Sequence, residues 1–211
     1  MFDDSGSKAY LVMDYHHLES LNGDNAAQAG LALAQQHKVT NEQFGWDSDN
    51  YIGLTPQSNR WASNWCSFFK EQRLLPILQR AQHRGLSKHN VQRVHNLIDV
   101  LEQILSHQVL PSLVHGDLWS GNASFDSQRQ TPLFYDPAPY YGDREVDIAM
   151  TELFGRQPND FYQSYQAEWP LEEGYEQRKA VYNLYHALNH VVLFGLSYNG
   201  LVEHCLDQIG G

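Results

Sequence analysis

Cysteine is nearly absent. The 211 residues contain two, Cys66 and Cys205, far apart and in no metal-binding spacing. That argues against a disulfide-stapled secreted scaffold or a cysteine-zinc site, and the expectation is two reduced core thiols in a cytoplasmic protein. Positive charge is scarce as well. Fourteen Lys and Arg against 25 Asp and Glu leave a net charge of −11, which argues against nucleic acid or an anionic membrane as partner, because such surfaces select for Lys and Arg. A phosphate-bearing small molecule stays open, since a divalent cation can supply local positive charge. No apolar run approaches the ~20 residues of a membrane span. The opening MFDDSGSKAY carries acids where a signal peptide carries positive charge. Repeats, low-complexity tracts and Pro/Gly/Ser-rich linkers are also missing, so nothing divides the chain.

What is present is core material: 42% apolar residues and 12% aromatic, enough for one domain. The run AYLVMDY (9–15) reads as a short strand. The Ala-rich stretch 25–38 reads as a helix capped by Asn25. Residues 44–59, FGWDSDNYIGLTPQSN, are so rich in Gly, Asp, Asn and Pro that they read as a long loop. Apolar positions at helical spacing over 60–82, including Trp61, Trp65 and Phe68, predict helix packing, with Pro76 kinking or dividing the helix. Val91, Val94, Ile98, Leu101 and Leu105 make a clean helical stripe. From 146 onward the pattern is mostly helical. The expected class is mainly α with a small β component.

Two short apolar runs, 112–115 and 132–136, each end on a chemically active residue. If 113–115 and 133–135 are strands of one hairpin-like pair, Asp117 and Asn122 lie in the loop after the first and Asp136 at the end of the second. An amide and a carboxylate oxygen suit a hard cation such as Mg²⁺, and a carboxylate free of the metal can take a proton from a hydroxyl. An aspartate, an asparagine five residues on and a later aspartate form the arrangement of kinase-type phosphoryl transfer. Asp117 is thus the candidate base, with Asn122 and Asp136 as metal ligands. His115 is expected to brace the loop. His186 and His190 stand at i, i+4 without the acid of a zincin, so a structural or pocket-lining role is expected. Asn183, His186 and Asn189 make a polar seam, read either as backbone hydrogen bonding or as the back wall of a pocket.

The segments LVHGDLWSGN, YDPAPYYGDREVDIAM, DNYIGLTPQ and LVMDY together resemble the fructosamine-3-kinase (ketosamine-3-kinase) family, of the aminoglycoside-phosphotransferase-like branch of the protein-kinase-like fold. The resemblance runs from about residue 9 to about residue 206. It implies an ATP- and Mg²⁺-dependent kinase that phosphorylates a sugar hydroxyl of a small-molecule or protein-bound ketosamine. Met13, Asp14, Tyr15 and His16 would meet the nucleotide at a hinge, and Trp119 would be a platform for the substrate. Asp147 would be a buried acid holding the catalytic loop. Asp143 and Glu145 would lie near the substrate mouth, though Asp143 could equally cap the helix that follows. The family's Gly-rich loop and strand lysine have no counterpart before residue 9, where Lys8 is the only lysine. Hence residues 1–16 are expected to be a hinge strand with a remnant of an N-terminal lobe, and 17–211 a helical C-terminal lobe. The ATP-clamping lobe would be largely absent, and the chain weakly active or inactive alone. An exposed hinge strand would favour self-association through residues 9–14. Two other readings stay open: a non-catalytic remnant or binding module, and a phosphotransferase for an aminoglycoside, choline or another small alcohol.

Overall fold

The computed structural model describes residues 12–210. Strand β1 (Leu18–Glu19) leads into helix α1 (Gly23–His37), and a hairpin, β2 (Asn50–Ile52) and β3 (Thr55–Gln57), follows. Next come α2 (Trp65–Phe69), a π-helical turn (Lys70–Leu74), α3 (Leu75–His83) and α4 (Lys88–Ile104). The middle of the chain holds β4 (Ser112–Val114), a 3₁₀ turn (Ser120–Asn122), β5 (Ala123–Asp126), β6 (Thr131–Phe134) and β7 (Tyr140–Gly142). Helices α5 (Glu145–Leu153), α6 (Asn159–Glu168), α7 (Tyr175–Phe194) and α8 (Asn199–Ile209) complete it. The mainly helical class with small sheets is what the structure shows.

The strands do not pair as the sequence suggested. Residues 113–115 and 133–135 belong to different sheets: β4 pairs antiparallel with β7, Val114 opposite Tyr140, and β6 pairs with β5, Ala123 opposite Phe134. The reason is that there are two hydrophobic cores. Val114 and Tyr140 bury in the larger, with α3, α4, α7 and α8. Ala123 and Phe125 bury in the smaller, with α1, α6, Leu118 and Ile148. The loop between β4 and β5 therefore bridges the cores, and Leu118, fully buried, pins its middle to the smaller one.

Three further expectations change. The described part of the proposed hinge strand, 12–16, is irregular, and pairing begins at Leu18 opposite Asp126. Residues 9–11, and with them part of the proposed self-association segment, lie outside the described residues. Helix α1 starts earlier than predicted, with Asn22 as cap and the Asn25 side chain accepting the Asn22 N–H at 2.6 Å. The segment 44–59 is not all loop, because it contains the β2–β3 hairpin. Its turn places Gly53 at φ +58, which glycine adopts without strain, while Ile52 and Thr55 bury beside it.

Pro76 does divide its helix. Lacking an N–H, it cannot pair with the carbonyl a turn before it, and the chain widens into the π-helical turn at that point. The freed carbonyl of Gln72 accepts from Arg73 Nη1 at 3.0 Å. Trp65 and Phe68 pack in the core as expected, whereas Trp61 stays half-exposed and stacks on Tyr141.

Candidate active site

The loop 115–122 is shaped by its backbone. Gly116 sits at φ +81, and a Cβ there would collide with the carbonyl of Ala138, so only glycine fits. The buried Asp147 carboxylate accepts the N–H groups of His115 at 2.6 Å and Gly116 at 2.9 Å. His37 adds a bond from Nε2 at 3.1 Å. Arg144 donates to the Tyr165 hydroxyl at 3.0 Å, so that hydroxyl donates in turn to His37 Nδ1 at 2.8 Å, leaving His37 Nε2–H for Asp147. Burial raises the Asp147 pKa, but the bonds from His37 and the loop outweigh it and hold the carboxyl below its usual range. The expected anchoring acid is thus in place, with His37 and Tyr165 behind it, which sequence reasoning missed because α1 and α6 are remote from the motif.

His115 braces the loop. Its Nε2–H donates to the Tyr135 carbonyl at 2.9 Å and its Nδ1 accepts the Asp117 N–H at 3.3 Å. Burial lowers its pKa, in keeping with a neutral ring. Asn122 Nδ2 donates to the Asp117 carbonyl at 2.9 Å, which leaves its Oδ1 out of that bond. The Tyr135 N–H donates to the Asn122 carbonyl at 3.1 Å, bringing Asp136 beside Asn122. Asp136 is exposed and stands at φ +54, a left-handed conformation that aspartate tolerates better than most residues. Burial, then the nearby Asp147 and Asp136 carboxylates, push the Asp117 carboxyl up to about 6. Asp117, Asn122 and Asp136 are therefore gathered at one end of two sheets, although by other pairings than one hairpin.

Asp117 opens on a cleft of about 340 Å³. Its walls include Trp119, Phe154, Ile52, Leu193 and Phe194, with Asn189 and His190 from α7. Trp119 is 40% exposed, and its indole lies over Gly121. Of the polar seam on α7, Asn189 reaches this cleft beside His190, while Asn183 and His186 bury deeper. Thr55 Oγ1 donates to Asn189 Oδ1 at 2.6 Å.

Asp143 and Glu145 do not lie at the mouth of that cleft. Both are buried, and they line a separate cleft of about 200 Å³ with His107. Asp143 accepts from Tyr182 at 2.5 Å, from His107 at 2.8 Å and from the Glu145 N–H at 3.0 Å, the last a helix-cap bond. Glu145 pairs with Arg178 at 2.7 and 2.8 Å. The Glu145–Arg178 pair and the bond from Tyr182 to Asp143 tie the start of α5 to α7. At the other end, Met13 and Tyr15 are 74% and 80% exposed, and His16 is held by Asp126 at 2.8 Å.

The fructosamine kinase family model matches residues 2–210. The chain belongs to the fructosamine kinase family. It is 44% identical over 206 residues to a probable ketoamine kinase of Vibrio parahaemolyticus, covering 96% of this chain and 70% of that protein. A second probable ketoamine kinase, from Synechocystis, is also 44% identical, with 97% and 68% covered. A crystal structure from Thermobifida fusca, assigned as a fructosamine-3-kinase, superposes with a TM-score of 0.88 at 34% identity, over 93% of this chain and 68% of the other. One from Haemophilus somnus, of the same assignment, gives 0.79 at 33%, over 91% and 66%. This fructosamine kinase family member is accordingly a phosphotransferase, and a kinase draws its phosphoryl group from ATP. Among the described residues, no helix is long and apolar enough to cross a membrane.

Proposed function

We propose that this kinase transfers the γ-phosphoryl group of ATP to a sugar hydroxyl of a ketosamine, free or protein-bound, in a Mg²⁺-dependent reaction. One observation carries the reading: Asp117 and Trp119 share an aromatic-walled cleft, while Asn122 and Asp136 present oxygens beside Asp117. An acceptor hydroxyl placed against Asp117 gives up its proton to a carboxylate whose pKa, about 6, makes it a stronger base than a free aspartate while still ionised near neutral pH. The Trp119 indole offers a sugar ring apolar area and an adjacent ammonium a cation–π contact.

The donor set fits a hard divalent cation. The Asn122 amide is oriented so that its oxygen is free of the loop, and Asp136 brings an exposed carboxylate. Mg²⁺ held there would supply charge neutralisation at the phosphate oxygens. Met13, Asp14, Tyr15 and His16 are the proposed nucleotide contacts, with the exposed Tyr15 ring available for stacking. The unpaired buried thiols of Cys66 and Cys205 suit a reducing, cytoplasmic setting.

Among the residues that line the cleft, Asp117 is the one acid, which favours a singly charged sugar-amine over a polycationic aminoglycoside. The test is phosphorylation of a fructosyl amine by this chain with ATP and Mg²⁺, beside Asp117→Ala. Activity lost in the variant supports the reading. Equal activity removes Asp117 from the base role, and no activity in either favours a binding module.

A further inference from the structure

The segment 50–57 carries more than its part in the cleft wall. At the turn end of the β2–β3 hairpin, Ile52 and Gly53 face the cleft and Thr55 holds Asn189. On the same face, at the open end of the hairpin, two amide side chains reach the chain just beyond Asp136. Asn50 Nδ2 donates to the Pro139 carbonyl at 2.8 Å. Gln57 Nε2 donates to the Ala138 carbonyl at 3.3 Å and to Asn50 Oδ1 at 2.9 Å. Gln57 is 2% exposed, and its Oε1 accepts from Tyr185 at 2.9 Å, so the amide has one orientation.

This stretch needs holding from outside. Pro137 and Pro139 have no N–H to give to a ladder. Asp136 itself keeps a left-handed conformation at φ +54, which for a residue other than glycine persists only when its surroundings impose it. On the near side, Tyr135 is tied to Asn122. On the far side, the Ala138 N–H donates to the His115 carbonyl at 2.9 Å, and the hairpin amides take the next two carbonyls.

We infer that Asn50 and Gln57 are positioning residues for Asp136: through the Ala138 and Pro139 carbonyls they fix where its carboxylate stands relative to Asn122. The inference rests on the reading of Asp136 as a ligand for a divalent cation. It also makes one hairpin the common support of the acceptor cleft and the metal-side loop.

The test uses Mn²⁺ as probe, followed by electron paramagnetic resonance, and amide hydrogen exchange of peptides spanning 134–142 without metal. Gln57→Met keeps the volume and removes the bond to the Ala138 carbonyl together with the one that ties Gln57 to Asn50. It is expected to weaken Mn²⁺ binding by about tenfold, the low end for groups that orient metal ligands, and to speed exchange at 138 and 140. Asn50→Asp keeps an acceptor for Gln57 but loses the donor to Pro139, and should give a smaller change of the same sign. Tyr185→Phe removes a bond to Gln57 without touching the loop, so it should lower the melting temperature and leave Mn²⁺ affinity unchanged. Thr55→Val should weaken calorimetric binding of N-butyl-1-amino-1-deoxyfructose and spare Mn²⁺. Wild-type exchange rates and Mn²⁺ affinity in a folded Gln57→Met, or in Asn50→Asp should Gln57→Met not fold, would overturn the inference alone. A wild-type chain that binds no Mn²⁺ while exchange still responds would overturn instead the reading of Asp136 as a metal ligand.

Discussion

Asp147 holds the backbone of His115: its Oδ2 accepts the His115 N–H at 2.6 Å, in a site where both groups are buried. Its other oxygen takes Gly116, so one carboxylate from α5 sets the entry of the loop that carries Asp117. Asparagine at this position has the same shape but a single acceptor oxygen. One backbone N–H would then face an NH₂ group and lose its partner. With hydrogen bonds to charged groups worth about 1.5–3 kcal/mol each, Asp147→Asn should cost about 3 kcal/mol. The measurement is the urea midpoint, which falls while the slope of the transition is kept. Because the loosened loop misplaces Asp117, kcat for ketosamine phosphorylation should fall more than KM rises. A wild-type midpoint would show that this carboxylate does not hold the loop.

The proposed catalytic set could be read from the sequence because its geometry is local. Asp117 and Asn122 share one loop, and five residues of spacing suffice to bring the amide onto the Asp117 carbonyl. Asp136 was legible as a partner, but the route to it was not. A three-residue strand such as β4 contains too few side chains to specify a register, and its partner is chosen by which of two cores Val114 and Tyr140 enter. The hairpin at 50–57 was hidden for a related reason. Gly53 and Pro56 read as breakers, while the burial of Ile52 and Thr55 depends on α7, more than a hundred residues later. Asp143 and Glu145 sit in a motif that the resemblance placed at the mouth, yet their partners His107, Tyr182 and Arg178 come from distant segments and draw them inward. Only the alternative reading of Asp143, as a helix cap, was available locally, and the structure shows that bond.

Trp119 and Gly121 give a prediction that separates binding from chemistry. A methyl group on Gly121 would collide with the far edge of the Trp119 indole, a half-exposed ring free to swing toward solvent. Gly121→Ala should therefore fold normally and lose the platform. A cation–π contact worth about 0.5–2 kcal/mol corresponds to a KM rise of roughly 2- to 30-fold. Trp119→Leu should match it, with kcat changed less than KM in both. Unchanged KM values in the pair would remove Trp119 from the acceptor site.

Arg73 is a buried cation whose partners are carbonyl and amide oxygens and aromatic faces. It donates to the Ser58 carbonyl at 2.6 Å and Asn59 Oδ1 at 2.7 Å, with its guanidinium over Tyr140 at 4.1 Å and Phe68 at 4.7 Å. Lysine keeps the charge but has neither the planar fork nor the stacking surface. Losing one charged hydrogen bond and the stacking should cost at least about 2 kcal/mol. Arg73→Lys should thus lower the melting temperature and raise amide exchange in residues 58–60. A melting temperature equal to wild type would mean that lysine reproduces the fork's contacts.

His186 links stability to pH. It is buried with Nδ1 unpartnered among the described residues, and burial, with His190 nearby, lowers its pKa to about 3. In the unfolded chain the same ring takes up a proton near about 6.5. Between those values the unfolded state binds more protons, so folding stability must fall as pH drops, by up to about 1.4 kcal/mol per pH unit for this one group. Substituting His186→Gln removes that titration and leaves an uncharged polar side chain in its place. Urea unfolding at about pH 7 and about pH 5 should show the variant less stable than wild type at the higher pH and the gap narrowing at the lower. The window stops short of the range where Asp126 titrates, since its hydrogen bonds from Arg129 and His16 hold that carboxyl at about 2. A gap of constant size across the two pH values would mean that His186 protonates equally in both states, and the buried neutral ring would have to be abandoned.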